Sequence, residues 1–329
     1  MLAEKSCKME AASVLDPLRL TVDLPFHERL YPRGFPVGLA TNSRLVAEAA
    51  RESWRSFPQA FDAPDIQLRV AVDGEDTSPL APEPVFRSQK QLLAIVANSA
   101  NFAFCDLAGA FAFCWVNAAT AAHEEYLRYH FLDSMVLTIL EHLRLTSVHA
   151  ACVALNGRGV LLFGESGAGK SCLAFACARR GWALIGDDAG SLVRGRSDNI
   201  VLGDPTHLRF RESAVELFPE LGNLPLSTTR GGEPSIQVLT RDLPEIATAL
   251  RSPVERVVFL ERRARGGARL IPLKKSEAFG RLASELPLYD AAVHEEHKTS
   301  LANLLRAGAC ELQYGDLDSA VERLGELVS

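Results

Sequence analysis

Val160-Leu161-Leu162-Phe163-Gly164-Glu165-Ser166-Gly167-Ala168-Gly169-Lys170-Ser171 is the stretch on which the reading of this chain turns. Four apolar residues in a row read as a buried strand. The residues from Gly164 to Ser171 fit G-x-x-x-x-G-K-[ST] without a mismatch. A loop that wraps a polyphosphate must turn its backbone N–H groups inward, and glycine permits the dihedrals and the close approach this needs. Lys170 then supplies a cation to the β- and γ-phosphates, and the Ser171 hydroxyl can ligate Mg²⁺. The apolar run from Cys172 to Ala178 reads as a helix whose N-terminus points at the phosphates. Gly164, Glu165, Ser166, Gly167, Ala168, Gly169, Lys170 and Ser171 are therefore the candidate nucleotide-binding residues. A glycine-rich turn without a ligand would explain the loop alone, but not a strand before it and a helix after it.

Beyond that helix, Arg179-Arg180-Gly181 reads as its end, and Trp182 to Gly186 as a strand that stops at Asp187-Asp188. A strand–helix–strand crossover returns the second strand parallel to the first, so both carboxyl ends lie on the sheet edge where ligands bind. Two carboxylates at a phosphate site have two jobs available: one holds Mg²⁺ and the other accepts a proton from an attacking hydroxyl. The residues alone do not assign these jobs; motif position puts Asp188 on the metal side and Asp187 as the base by a narrow margin. Away from such a loop, an Asp-Asp pair would be an ordinary strand-end turn. His149, between Val148 and Ala150, reads either as a core histidine or, if an antiparallel hairpin over 145–163 carries it there, as a partner of the catalytic carboxylate. Its strand is read as running unbroken over 145–155, with Asn156-Gly157 as the hairpin turn.

The rest of the 329 residues fit a globular protein of two domains: 47% are hydrophobic, 23% are charged and the net charge is −6. That balance speaks against nucleic-acid and anionic-membrane partners. Seven cysteines without a C-x-x-C pair read as reduced thiols, and the absence of a signal-like or membrane-length apolar run points to a cytoplasmic protein. Residues 1–18 read as a frayed N-terminus and 19–120 as an α+β domain of unknown role. Within the latter, strands are expected at Leu20–Leu24, 66–71, 91–97, 102–106 and 110–116, a helix over 45–54, and a proline-rich loop over 74–86. The three- and four-residue spacing of Leu132, Met135, Val136, Ile139 and Leu140 predicts a helix over 121–143 that joins the two domains. Further helices are expected over 276–286, 289–307 and 316–329, with a short strand over 310–314. Residues 251–275 are rich in arginine and read as a β-hairpin around Gly266-Gly267 that could bring one arginine to a phosphate; Arg230-Gly231-Gly232 is a second candidate loop.

Val148-His149-Ala150, the loop from Gly164 to Ser171, Arg180-Gly181 and Ile185-Gly186-Asp187-Asp188 together resemble the catalytic domain of the HPr kinase/phosphorylase family. The resemblance is tight over 145–190 and holds in element order to about 315. It implies an α/β P-loop kinase domain of the HPr kinase/phosphoenolpyruvate carboxykinase type over 145–315, preceded by the smaller α+β domain and a connecting helix over 121–144. It implies ATP and Mg²⁺, with Lys170 on the phosphates, Ser171 and Asp188 at the metal, and Asp187, Asp188 and His149 as the catalytic groups. The chain departs from the family in having Ala150 after the histidine. It also lacks an E-x-R-G-x-G segment after the acidic pair. The expected acceptor is accordingly a hydroxyl, serine foremost, of a protein, a peptide or a small molecule. Members of that family are often oligomeric, which makes a homo-oligomer an expectation of the resemblance. The rival reading is a non-catalytic nucleotide-binding module that holds a partner peptide or protein.

Overall fold

Alternating residues in the first half and unbroken apolar runs in the second produce two different sheets in the computed structural model, which describes residues 22–228, 234–287 and 290–328. Residues 1–18, Leu20 and Arg230-Gly231-Gly232, for which the sequence carries expectations, lie outside those described residues.

The first sheet is built from β1 (Phe26–Leu30), β2 (Val37–Thr41), β3 (Ile66–Asp73), β4 (Val85–Gln89), β5 (Leu92–Asn98), β6 (Asn101–Asp106) and β7 (Phe111–Asn117), in the order β1-β2-β3-β7-β6-β5-β4. The neighbouring pairs β2–β3 and β3–β7 are parallel and the other neighbours are antiparallel. The first strand starts two residues past the expected Leu20–Leu24, after Pro25, whose missing N–H cannot join a ladder. The expected loop over 74–86 ends early, because Val85 and Phe86 open the edge strand β4. α1 (Arg44–Trp54) precedes β3, and α2 (Ala118–Ala122), α3 (Glu124–Leu127), a π-helical turn (Arg128–Asp133) and α4 (Ser134–Leu143) follow β7. The helix read over 121–143 is thus several pieces. His123 has non-helical dihedrals and its Nδ1 accepts the Tyr126 N–H, which ends one helix and caps the next. Leu127, Phe131, Met135 and Ile139 from these pieces pack against Leu39, Leu68 and Ile95 of the sheet.

The second sheet starts with β8 (Leu145–Val148), β9 (Ala151–Leu155) and β10 (Arg158–Phe163). The strand read over 145–155 breaks at His149-Ala150: β9 turns back on β10 through Asn156-Gly157, both at positive φ, whereas β8 departs to pair with a later strand, Gly190–Val193. After the loop come α5 (Lys170–Arg179), β11 (Ala183–Gly186), β12 (Gly190–Val193) and β13 (Ile200–Leu202). A small sheet of β14 (His207–Arg211), β15 (Leu226–Thr228) and β16 (Pro234–Leu239) intervenes. The chain closes with β17 (Arg251–Arg262), β18 (Arg269–Leu273), α6 (Lys275–Ala283), α7 (Ala291–Leu304), β19 (Ala309–Tyr314) and α8 (Leu317–Val328). The nine-stranded order is β11-β9-β10-β17-β13-β12-β8, with β19 on β17 and β18 on β19. The hairpin expected over 251–275 does not form: β19 takes the place beside β17, in parallel, and β18 pairs with β19 instead.

Strand direction gathers the loop ends on one side of this sheet. β9 is antiparallel to both β10 and β11, so those two run the same way with β9 between them. β10 is parallel to β17, and β17 to β19. The carboxyl ends of β10, β11, β17 and β19 therefore share one edge. β10 is covered on both faces: Val160 and Leu162 pack towards α5 and α8, while Leu161 and Phe163 pack towards α6 and α7. Among the described residues no helix is long and apolar enough to cross a membrane, and the six described cysteines are unpaired, five of them buried.

Candidate active site

β10 delivers its last buried residue, Phe163, directly into the loop. Gly167 and Gly169 take φ of 89° and 92°, the left-handed region where a side chain is strained. A Cβ on Gly164 would stand 2.7 Å from the Ala168 Cβ, so the loop closes tightly only with glycine there. Four hydrogen bonds hold its shape. The Ala168 N–H donates to the Glu165 carbonyl (3.0 Å) and Lys170 Nζ to the Gly164 carbonyl (2.7 Å). Tyr314, at the end of β19, donates its hydroxyl to the Ala168 carbonyl (2.8 Å), and Arg211 of β14 donates to Ser166 Oγ (2.7 Å). α5 begins at Lys170 with no side-chain cap, which leaves its first N–H groups available to an anion.

β11 ends at the two aspartates, and the chain turn after Gly186 gives them opposite surroundings. Asp187 is buried. Its Oδ2 accepts the Arg209 backbone N–H at 2.7 Å. Its Oδ1 is shut off from solvent with no well-formed hydrogen bond among the described residues, although the Ser171 hydroxyl is near enough to favour its charged form. Burial pushes the Asp187 carboxyl up to about 6, and the adjacent Asp188 adds to this; the Arg209 amide, Ser171 and Lys170 pull the other way. Asp188 is exposed and lies 3.4 Å from His149 Nδ1. His149 is half exposed at the break between β8 and β9 and so is not a core histidine. It reaches the acidic pair from that break rather than along a hairpin.

Loop, aspartates and His149 line one cavity of about 570 Å³. All the site residues expected from the sequence border it except Gly164 and Ala168, which shape the loop from behind. Asp187 is the carboxylate that Ser171 and Lys170 influence, and Asp188 the one beside His149. Other cavity residues were left open or were not singled out by the sequence reading. Arg262 ends β17 on the shared edge and is the member of the arginine-rich segment that reaches the cavity. His207 and Arg209 come from β14, Asp204 from the loop before it, and Arg33 from the first sheet's β1–β2 connection. Burial lowers the His207 pKa, opposed by the nearby Asp204 and Asp188 carboxylates.

Residues 142–214 match the family described as the HPr Serine kinase C-terminal domain. That span contains His149, the loop, both aspartates, Asp204 and β14. The segment is HPr-kinase-like. Its curated relative, the HPr kinase/phosphorylase of Halalkalibacterium halodurans (strain C-125), is 40% identical over 76 residues, which are 22% of this chain and 24% of the relative. The chain thus spans about a quarter of the length of the curated relative it matches. The HPr(Ser) kinase/phosphatase from Coxiella burnetii overlays 55% of this chain and 96% of its own, at 15% identity and a TM-score of 0.29, too low for the overlay to bear on architecture. The first sheet lies wholly outside the matched residues.

Proposed function

We propose that this chain is an ATP- and Mg²⁺-dependent kinase that phosphorylates a hydroxyl, serine foremost, on a protein, a peptide or a small molecule. In this reading its second sheet is a P-loop kinase domain of the HPr kinase/phosphoenolpyruvate carboxykinase type. The observation that carries the proposal is the division between the aspartates. A buried carboxylate with an orphaned oxygen stands beside the loop serine, and an exposed one stands beside a histidine in the same cavity.

The orphaned Asp187 Oδ1 next to the Ser171 hydroxyl is an all-oxygen donor set, which suits a hard cation. Ser171 and Asp187 would hold Mg²⁺. When bound, that cation supplies charge neutralisation on the β- and γ-phosphate oxygens. The loop's N–H groups and the N-terminus of α5 bind the phosphates, and Lys170 exchanges the Gly164 carbonyl for a phosphate oxygen. Asp188, open to the cavity, takes the proton from the attacking hydroxyl, and His149 steadies the carboxylate through its Nδ1. The relatives' names point to a protein acceptor, HPr; Ala150 and the missing E-x-R-G-x-G segment leave peptides and small hydroxy compounds equally open.

The test is phosphate transfer from ATP with Mg²⁺ to a pool of serine, serine peptides and HPr. It is run for wild type, Asp187→Asn and Asp188→Asn. Transfer that vanishes in Asp188→Asn while ATP affinity stays, and a raised Mg²⁺ requirement in Asp187→Asn, are the expected results. Transfer unchanged in both variants overturns the assignment. ATP binding without transfer to any acceptor, in a pool extended to neighbouring gene products, makes the chain a binding module.

A further inference from the structure

Arg33 is delivered to the kinase cavity by the other sheet, and everything around it is built to keep it there. It occupies the tight connection between β1 and β2, where Pro32 precedes it and its own φ is +53°, a left-handed value uncommon for a residue with a side chain. The turn is pinned: the Gly34 carbonyl accepts the N–H groups of Ala60 and Phe61 at 3.0 and 3.1 Å, and Phe61 stacks on Phe35 at 4.3 Å. The guanidinium rests over the Phe57 ring, 5.3 Å from its centre. Residues held in sparse backbone regions by surroundings that over-determine them concentrate at ligand sites.

What the guanidinium does not do is more informative. Arg33 makes no ion pair among the described residues, and its Nη1 is shut off from solvent without a hydrogen-bond partner. Yet the residue lines the cavity. Arg194, whose side chain is 7% exposed, differs in having an ion pair: it donates to the His142 carbonyl, meets His297 Nε2 at 3.2 Å and pairs with Glu296 at 3.5 Å. Burial disfavours the Arg33 charge and the nearby Asp204, Asp133 and Glu141 carboxylates oppose this, but none of them forms an ion pair with it. One oxygen of each accepts elsewhere: from Thr206, from the Trp54 indole and from the Ser147 hydroxyl. An unmet donor on a residue that lines a cavity calls for a partner, and an anionic oxygen is the partner a guanidinium takes best.

Its origin says which part of the cavity it serves. The loop, Lys170, both aspartates and His149 are all carried by the second sheet, whereas Arg33 enters from the β1–β2 turn of the first, so it is a cation of the cavity wall separate from the loop.

We propose that Arg33 is the anion-binding residue of an acceptor subsite, so that the phosphate acceptor carries an anionic oxygen group, a carboxylate or a phosphate, apart from its reactive hydroxyl. This deepens the kinase reading and rests on it for the word acceptor, but the anion site itself is testable without any transfer.

Three probes with one carbon skeleton isolate the charge: D-glycerate, glycerol 3-phosphate and glycerol. Their effect on the melting temperature of the full chain is titrated with and without ATP and Mg²⁺, in wild type, Arg33→Gln, Arg33→Lys and Lys170→Met. Wild type and Lys170→Met are expected to be stabilised by one or both anions and not by glycerol. The half-maximal concentration should rise about tenfold or more in Arg33→Gln, the range of one lost charge-assisted hydrogen bond. Arg33→Lys, which keeps the cation without the planar fork, should fall between, and carries the test should Arg33→Gln fail to fold. The stronger anion names the group on the acceptor. Equal responses in wild type and both Arg33 variants overturn the proposal, as does a wild type that responds to neither anion. A response lost in Lys170→Met but kept in Arg33→Gln also overturns it, since that anion sits in the phosphate loop. Loss of the ATP-induced shift alone would count against the kinase reading and leave the anion arms readable.

Discussion

The first sheet buries one face and the second buries two. In β6 and β7 the residues alternate, so Ala103, Cys105, Ala112, Cys114 and Val116 turn to the helices. Phe102, Phe104, Phe113 and Trp115 share the other face, paired across the ladder and partly exposed. In β10 five consecutive residues are buried, because helices cover the sheet on either side. The doubly covered strand can hold a strained, glycine-rich loop at its end without fraying. The singly covered sheet lends the site one turn, Tyr31–Gly34, from its margin. The candidate site sits at the edge of the doubly covered sheet, and the less covered sheet supplies a reach into it.

Several substitutions would break or sharpen this contrast. The largest effect belongs to Lys170→Met, which should lower phosphate transfer by about 10³-fold or more with the melting temperature nearly unchanged, as read by a radiolabelled-ATP assay. A wild-type rate would remove the second sheet's loop from the chemistry. Next is Leu162→Ala, in the doubly covered strand, expected to cost about 2–5 kcal/mol in urea unfolding. A cost under about 1 kcal/mol would mean that the strand is less enclosed than its packing shows.

A third test uses acid. Burial holds the Asp187 pKa, about 6, above its ordinary 3.8, so the folded chain keeps that proton longer than the unfolded one. The sign is therefore a cost to folding that is absent below about pH 4 and grows as pH rises through about 6. Asp187→Asn should be more stable than wild type at pH 7, by up to about 3 kcal/mol, and should lose the advantage as pH falls to about 4. A stability difference that does not change with pH would deny the carboxylate its buried setting. The smallest effect is expected of Phe104→Ser on the half-covered face, within about 1 kcal/mol of wild type by the same unfolding assay. A loss like that of Leu162→Ala would show that this face is covered in solution.

The loop was legible because its chemistry is local: eight consecutive residues dictate their own backbone path. The acidic pair was legible because one crossover fixes the direction of the strand that carries it. Strand partners were not. Nothing near Arg269 says that β19, forty residues on, will slip in parallel beside β17 and displace the expected hairpin. Hence Tyr314 under the loop went unread, and which arginine of 251–275 would reach the cavity stayed open until the structure placed Arg262 there. The interruption at His149-Ala150 was hidden by apolar residues on both sides, since an unbroken pattern does not reveal a change of partner. Arg33 was least legible: Pro32-Arg33-Gly34 reads as a surface turn, and only the approach of the two sheets makes it part of the site.

The neighbour of β10 has a consequence for how the chain is made. Phe163 pairs with Phe259, almost one hundred residues later. At about 5–20 residues per second, a ribosome needs roughly 5–20 s to supply β17 after the glycine-rich loop has emerged. Through that interval β10 has β9 on one side and an open ladder on the other. The nascent loop is thus an early epitope for chaperones and proteases, and nucleotide bound during synthesis would meet it before its second wall exists.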